Sequence, residues 1–90
     1  MYDYEISENL QEVMIKLSKK DKSLYEQLLK KIEEIINSYN LEHYKNLRYN
    51  MKDSKRVHLG HFVLVFQFDK KNNKIKFDDF DHHDNIYKKK

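Results

Sequence analysis

Between Phe62 and Phe68 only Gln67 interrupts a run of Phe, Val and Leu. A strand with one wet face alternates, so a continuous apolar run of this length predicts a central strand covered on both sides. The punctuation around it is consistent. Gly60, the one glycine in the sequence, separates the run from Arg56-Val-His-Leu59, where a tight turn needs a residue without a Cβ. Asp69-Lys-Lys-Asn-Asn73 supplies the next turn, because Asn and Asp bond their own backbone and tolerate left-handed geometry. Lys74-Ile-Lys-Phe77 then alternates, and the stretch from Arg56 to Phe80 reads as an antiparallel meander.

Upstream the period changes. Tyr2-Asp-Tyr-Glu-Ile6 alternates and predicts a short strand able to pair with the meander. Ser7 offers an N-cap, and Leu10, Val13, Met14 and Leu17 form one helical stripe running to about Lys19. Asp21 is the next cap. Leu24, Leu28, Ile32, Ile35, Ile36 and Tyr39 continue at helical spacing into a second helix ending near Asn37 to Asn40. The two stripes are read as core, facing the sheet. The expected fold is α+β: a short N-terminal strand, a helical hairpin, then a three-stranded antiparallel meander, with the helices packed on one face of the sheet.

Leu41 to Ser54 shows neither period. Its His43, Lys45, Arg48 and Lys52, followed by Lys55, are interleaved with Tyr44, Tyr49 and Met51, which makes a basic and aromatic loop leading into the sheet. Charge follows the same division. Residues 1–45 carry seven Lys against nine acids, whereas residues 46–90 carry nine Lys and two Arg against six acids, plus four of the five His. A sheet presenting Lys, Arg and His beside aromatics suits nucleic-acid phosphates, although lysines also serve simply to keep a surface soluble. Ninety residues with 13% aromatics and a net charge of +3 suit one packed domain, residues 1–90, rather than a disordered chain. With no Cys there is no disulfide or thiolate metal site, and no apolar stretch is long enough for a signal peptide or membrane span, so a cytoplasmic protein is expected. No phosphate-binding glycine loop, Ser-His-Asp spacing or His-Glu-x-x-His helix is present.

The segment Lys55-Arg56-Val-His-Leu-Gly-His-Phe-Val-Leu-Val-Phe66, with Leu47 and the basic loop before it, resembles the basic strand, glycine turn and apolar strand of the RelE/ParE toxin superfamily. Asp81-His-His-Asp-Asn-Ile-Tyr87 resembles that family's closing segment. The resemblance covers nearly the whole chain in order and spacing. It implies the toxin of a toxin-antitoxin pair, and in the RelE branch a ribosome-dependent mRNA interferase. That reaction needs no metal and no small-molecule cofactor: a ribose 2′-OH attacks the neighbouring phosphate. It calls for a proton acceptor, cations on the phosphate and a proton donor for the leaving 5′-oxygen.

Carried over by position, the implied catalytic residues are Arg56, His58, His83 and Tyr87, with Lys45, Arg48, Lys52, Lys55 and His82 gripping RNA. Arg56 and His58 are two apart on a strand and so project from one face. The implied partners are an antitoxin encoded next door, the ribosome and mRNA; no membrane is involved. Two positions depart from the family pattern: Val63 stands where many RelE toxins carry an arginine, and His83 replaces the closing arginine. These departures keep open the alternative of a ParE-like inhibitor that binds a topoisomerase, or a catalytically weak antitoxin-binding relative. The letters Asp81-His82-His83-Asp84 invite a metal site, but neighbours on an extended chain point to opposite faces, so none is expected. Lys88 to Lys90 reads as a solvated tail.

Overall fold

The computed structural model describes residues 2–47 and 54–88. In chain order the elements are β1 (Asp3–Ile6), α1 (Glu8–Lys20), α2 (Lys22–Ile36), a 3₁₀ turn (Leu41–His43), β2 (Lys45–Asn46), β3 (Ser54–Leu59), β4 (Phe62–Asp69), β5 (Lys74–His82) and α3 (His83–Lys88). The strands form one sheet in the order β1-β5-β4-β3-β2. β1 runs parallel to β5, while the other neighbours are antiparallel. The α+β meander expected from the pattern is the fold.

Local chemistry sets the element ends. The Ser7 hydroxyl accepts from the Leu10 amide at 3.1 Å and donates to the Asp78 carbonyl at 2.7 Å, so one side chain caps α1 and ties it to β5. Asp21 closes α1 by donating its backbone N–H to the Leu17 carbonyl at 2.8 Å, and its carboxylate accepts from Leu24 N–H at 3.1 Å to open α2. A single residue therefore makes the turn of the helical hairpin. Gly60 has φ +61° at the β3–β4 turn, where Leu59 pairs with Phe62, and Asn73 has φ +54° before β5. Both take the left-handed conformation for which these residue types are suited.

One face of the sheet carries the main core. Leu10 from α1, Leu28, Ile32, Ile35 and Ile36 from α2, and Leu41 pack on Leu64, Phe66, Ile75, Phe77 and Phe80. The opposite face carries a smaller cluster of Leu47, Val63, Val65 and Ile86, with Tyr87 packed against it. Four consecutive residues of β4, Val63 to Phe66, are thus buried, half by each cluster, which is why that strand does not alternate in polarity.

Two features add to the sequence reading. The pairing of β4 with β5 slips between Val65 and Phe66: Val65 faces Asp79 and Phe66 faces Phe77, leaving Asp78 as an extra residue. The slip brings Phe80 to the same face as Ile75 and Phe77. The second feature corrects the closing segment, which is not extended throughout. β5 ends at His82, and α3 begins at His83 and lies on the face opposite α1 and α2.

Candidate active site

The β3–β4–β5 register places the candidate side chains. Arg56 pairs with Val65, and His58 with Val63. Since Val63 and Val65 belong to the smaller cluster, Arg56 and His58 stand on that same face, one on each side of Val57, which turns to the main core. On the outer side Arg56 pairs with Lys45 of β2. Lys45 is exposed and Arg56 half-buried, so two cations neighbour each other across the strands. The Arg56 Nε donates to the Asn46 carbonyl at 3.2 Å, which fixes one side of the guanidinium. His58 is exposed.

Helix α3 completes this face. Ile86 is 3% exposed against the two valines, and Tyr87 packs beside them. A six-residue helix has no stability of its own, so this contact is what holds it. The backbone N–H of its first residue, His83, donates to the His61 carbonyl at 2.9 Å, tying the helix start to the β3–β4 turn. Arg56, His58 and Tyr87 are thereby gathered on one side of the sheet, and His83 opens the helix that lies across it.

The five residues assigned to RNA binding are distributed differently. Lys45 belongs to the Arg56 face. Arg48 and Lys52 lie outside the described residues. His82 is opposite Phe62 in the register, meets that ring edge-on with centroids 5.9 Å apart, and stacks on His61 at 6.0 Å and on His83 at 4.7 Å. Lys55 departs from the expectation. It alternates away from Arg56, is only 5% exposed, and donates its ammonium to Asn46 Oδ1 at 3.1 Å. A buried lysine on neutral acceptors anchors β2 to β3 and is turned away from any ligand on the Arg56 face.

The residues that sequence reading missed are supports. Asn46 serves both cations of β3, through its carbonyl to Arg56 and its side chain to Lys55. The 3₁₀ turn before β2 is pinned by the Tyr44 ring, edge-on to Phe66 at 5.6 Å, with its hydroxyl donating to Glu34 at 3.3 Å. Lys31, at 2.9 Å, holds the Glu34 carboxyl below its usual range, and burial pushes the Tyr44 hydroxyl up. Asp84 lies at the β5–α3 corner, with its carboxylate 3.1 Å from His83 Nδ1 and 3.7 Å from His82 Nδ1. Spacing marks Lys31 and Glu34 only as a helical pair and Tyr44 and Asp84 only as members of their segments; the contacts of Asn46, Tyr44 and Asp84 run to neighbours that spacing does not show.

The architecture is that of the RelE-like toxins. The isolated Escherichia coli RelE toxin superposes with a TM-score of 0.75 at 21% identity, over 99% of this chain and 98% of that one. A chain of the intact E. coli RelBE toxin-antitoxin complex gives 0.74 at 23% identity, over 91% of this chain and 96% of that one. At these identities the likeness is one of fold. No protein-family model matches the chain. In sequence, the Methanocaldococcus jannaschii protein named "Putative toxin RelE4" is 54% identical over 91 residues, spanning 100% of this chain and 95% of that protein. The chain belongs to the RelE toxin family.

Proposed function

We propose that residues 1–90 form the toxin of a toxin-antitoxin pair that acts in the cytoplasm as a ribosome-dependent mRNA interferase and so arrests growth. The observation that carries the reading is the neighbouring placement of Arg56 and His58 on the face that α3 closes with Tyr87. Arg56, already fixed on one side by the Asn46 carbonyl, supplies a permanent cation for the phosphate next to the cut. His58, an exposed imidazole with a nitrogen able to accept, takes the 2′-OH proton. As the 2′-oxygen bonds to phosphorus, the bond to the 5′-oxygen breaks, and Tyr87 or His83 returns a proton to that oxygen. Lys45 extends the cationic strip along which RNA lies, and the RNA-binding set excludes buried Lys55.

The RelBE complex supports an antitoxin as the protein partner. A second reading, a binder of topoisomerase without catalysis, is favoured by Val63. That residue is wholly buried beneath Ile86, so its position offers no group to a substrate while α3 is docked.

Primer extension on a translated mRNA, with purified ribosomes and protein, tests the first reading. Cuts within codons should appear with the wild type and fall at least about a hundredfold with Arg56→Ala and with His58→Ala. Intact mRNA together with DNA-damage signs in induced cells would give the topoisomerase reading instead.

A further inference from the structure

At the corner where β5 ends and α3 begins, His82, His83 and Asp84 each offer one ligand atom, and the three atoms lie within 4.8 Å of one another. We propose that this corner is a binding site for a divalent transition ion of the zinc and nickel class, built from two imidazoles and one carboxylate.

The three residues do not lie on the continuous strand that spacing alone suggests. His82 is the last residue of β5 and His83 the first of α3, so the change from extended to helical backbone swings consecutive side chains to the same side. The His82 and His83 rings stack with centroids 4.7 Å apart and planes inclined by 27°. The Asp84 carboxylate sits against both, with one oxygen 3.1 Å from His83 Nδ1 and the other 3.7 Å from His82 Nδ1.

A tetrahedral ion with ligand bonds of about 2.0–2.1 Å separates its ligand atoms by roughly 3.3 Å. The two carboxylate-to-imidazole spacings, 3.1 Å from one Asp84 oxygen and 3.7 Å from the other, are of that order, and the three ligand atoms, within 4.8 Å of one another, must draw closer to share one ion. Asp84 N–H donates to His82 Nδ1 at 3.2 Å, so an ion either displaces that bond or takes the ring's other nitrogen, Nε2.

The frame is held from outside the triad. His83 N–H is anchored on the His61 carbonyl, and the His61 ring stacks on His82 with centroids 6.0 Å apart. The His82 and His83 side chains are 39% and 43% exposed, so an ion can reach them. Imidazole donors select zinc, nickel or copper over magnesium or calcium, which prefer oxygen.

The consequence for activity rests on the toxin reading, whereas the binding does not. A bound ion would place a fixed positive charge at His83, the position that the closing arginine occupies in the family pattern.

Isothermal calorimetry on the whole chain, titrated separately with Zn²⁺, Ni²⁺ and Mg²⁺ in a non-chelating buffer, tests the site. One Zn²⁺ or Ni²⁺ per chain should bind and Mg²⁺ should not. His82→Ala, His83→Ala and Asp84→Asn should each weaken binding at least tenfold, with circular dichroism confirming the fold, while His43→Ala should leave it unchanged. Imidazole resonances of His82 and His83 should shift on loading. Absence of a saturable site, or affinity that survives the His82→Ala and His83→Ala changes, would overturn the proposal whatever the nuclease assay shows.

Discussion

Truncating Ile86 to alanine should release α3 without unfolding the protein. Ile86 is 3% exposed and sits on Val63 and Val65, and among the described residues the helix backbone is tied to the sheet through its first two residues, by His83 N–H to the His61 carbonyl and Asp84 N–H to His82 Nδ1. The change removes three carbon groups at about 0.8 kcal/mol each, a loss of roughly 2.4 kcal/mol before any cavity contribution. That corresponds to about fiftyfold in the ratio of docked to undocked helix, since 1.4 kcal/mol is tenfold. The helix can leave rather than endure a cavity, so the cost is local. Native-state hydrogen exchange should show it: the Tyr87 and Lys88 amides should lose about fiftyfold in protection while the Val65 amide in β4 keeps its own. On the toxin reading, mRNA cleavage should fall as well, because His83 and Tyr87 travel with the helix. Unchanged protection at Tyr87 would refute the docking argument, and an equal loss at Val65 would show that the helix and sheet open as one unit.

Other changes follow from single contacts. Ser7→Ala should cost about 1–2 kcal/mol in urea unfolding, since it removes the α1 cap and also the bond to Asp78, whose carbonyl then lacks that donor. Gly60→Ala should lower stability by about 1–2 kcal/mol from left-handed strain alone, because a Cβ there meets nothing within 4 Å. For acid stability, the Glu34 carboxyl is held below its ordinary value by Lys31 and Tyr44. A depressed folded pKa gives stability that is present above the unfolded pKa and lost as pH falls through the folded one. The melting temperature should therefore drop slightly more for wild type than for Glu34→Gln as pH is lowered through and below the ordinary carboxylate range, and parallel curves would exclude the linkage.

The sheet and the helical hairpin were legible because burial on both faces leaves an unbroken apolar run, and because Ser7, Asp21, Gly60 and Asn73 are residue types with one good local use each. The end of the chain was not. Asp81 to Tyr87 contains no run long enough for a helical stripe, and α3 exists only because Ile86 finds Val63 and Val65. The inward turn of Lys55 was equally hidden, since its acceptor, Asn46, lies on a two-residue strand across the sheet. The pairing of Arg56 with His58 could be read from spacing alone; the closing of their face by a helix could not.

The surplus residue at Asp78 acts as a parity switch along β5. Ile75 and Phe77 point into the main core at odd positions, and Phe80 points the same way at an even one, because one step of the strand is left uncounted. A shortened chain lacking Asp78 would alternate regularly, with every residue from Asp79 onward still facing its present side. Loss of Lys76 instead would swing Ile75 out of the core and break the match of β5 with β1. A one-residue change of length is thus tolerated by the facing pattern at this position of the strand, at the cost of the bonds that Ser7 and Gln67 make to Asp78.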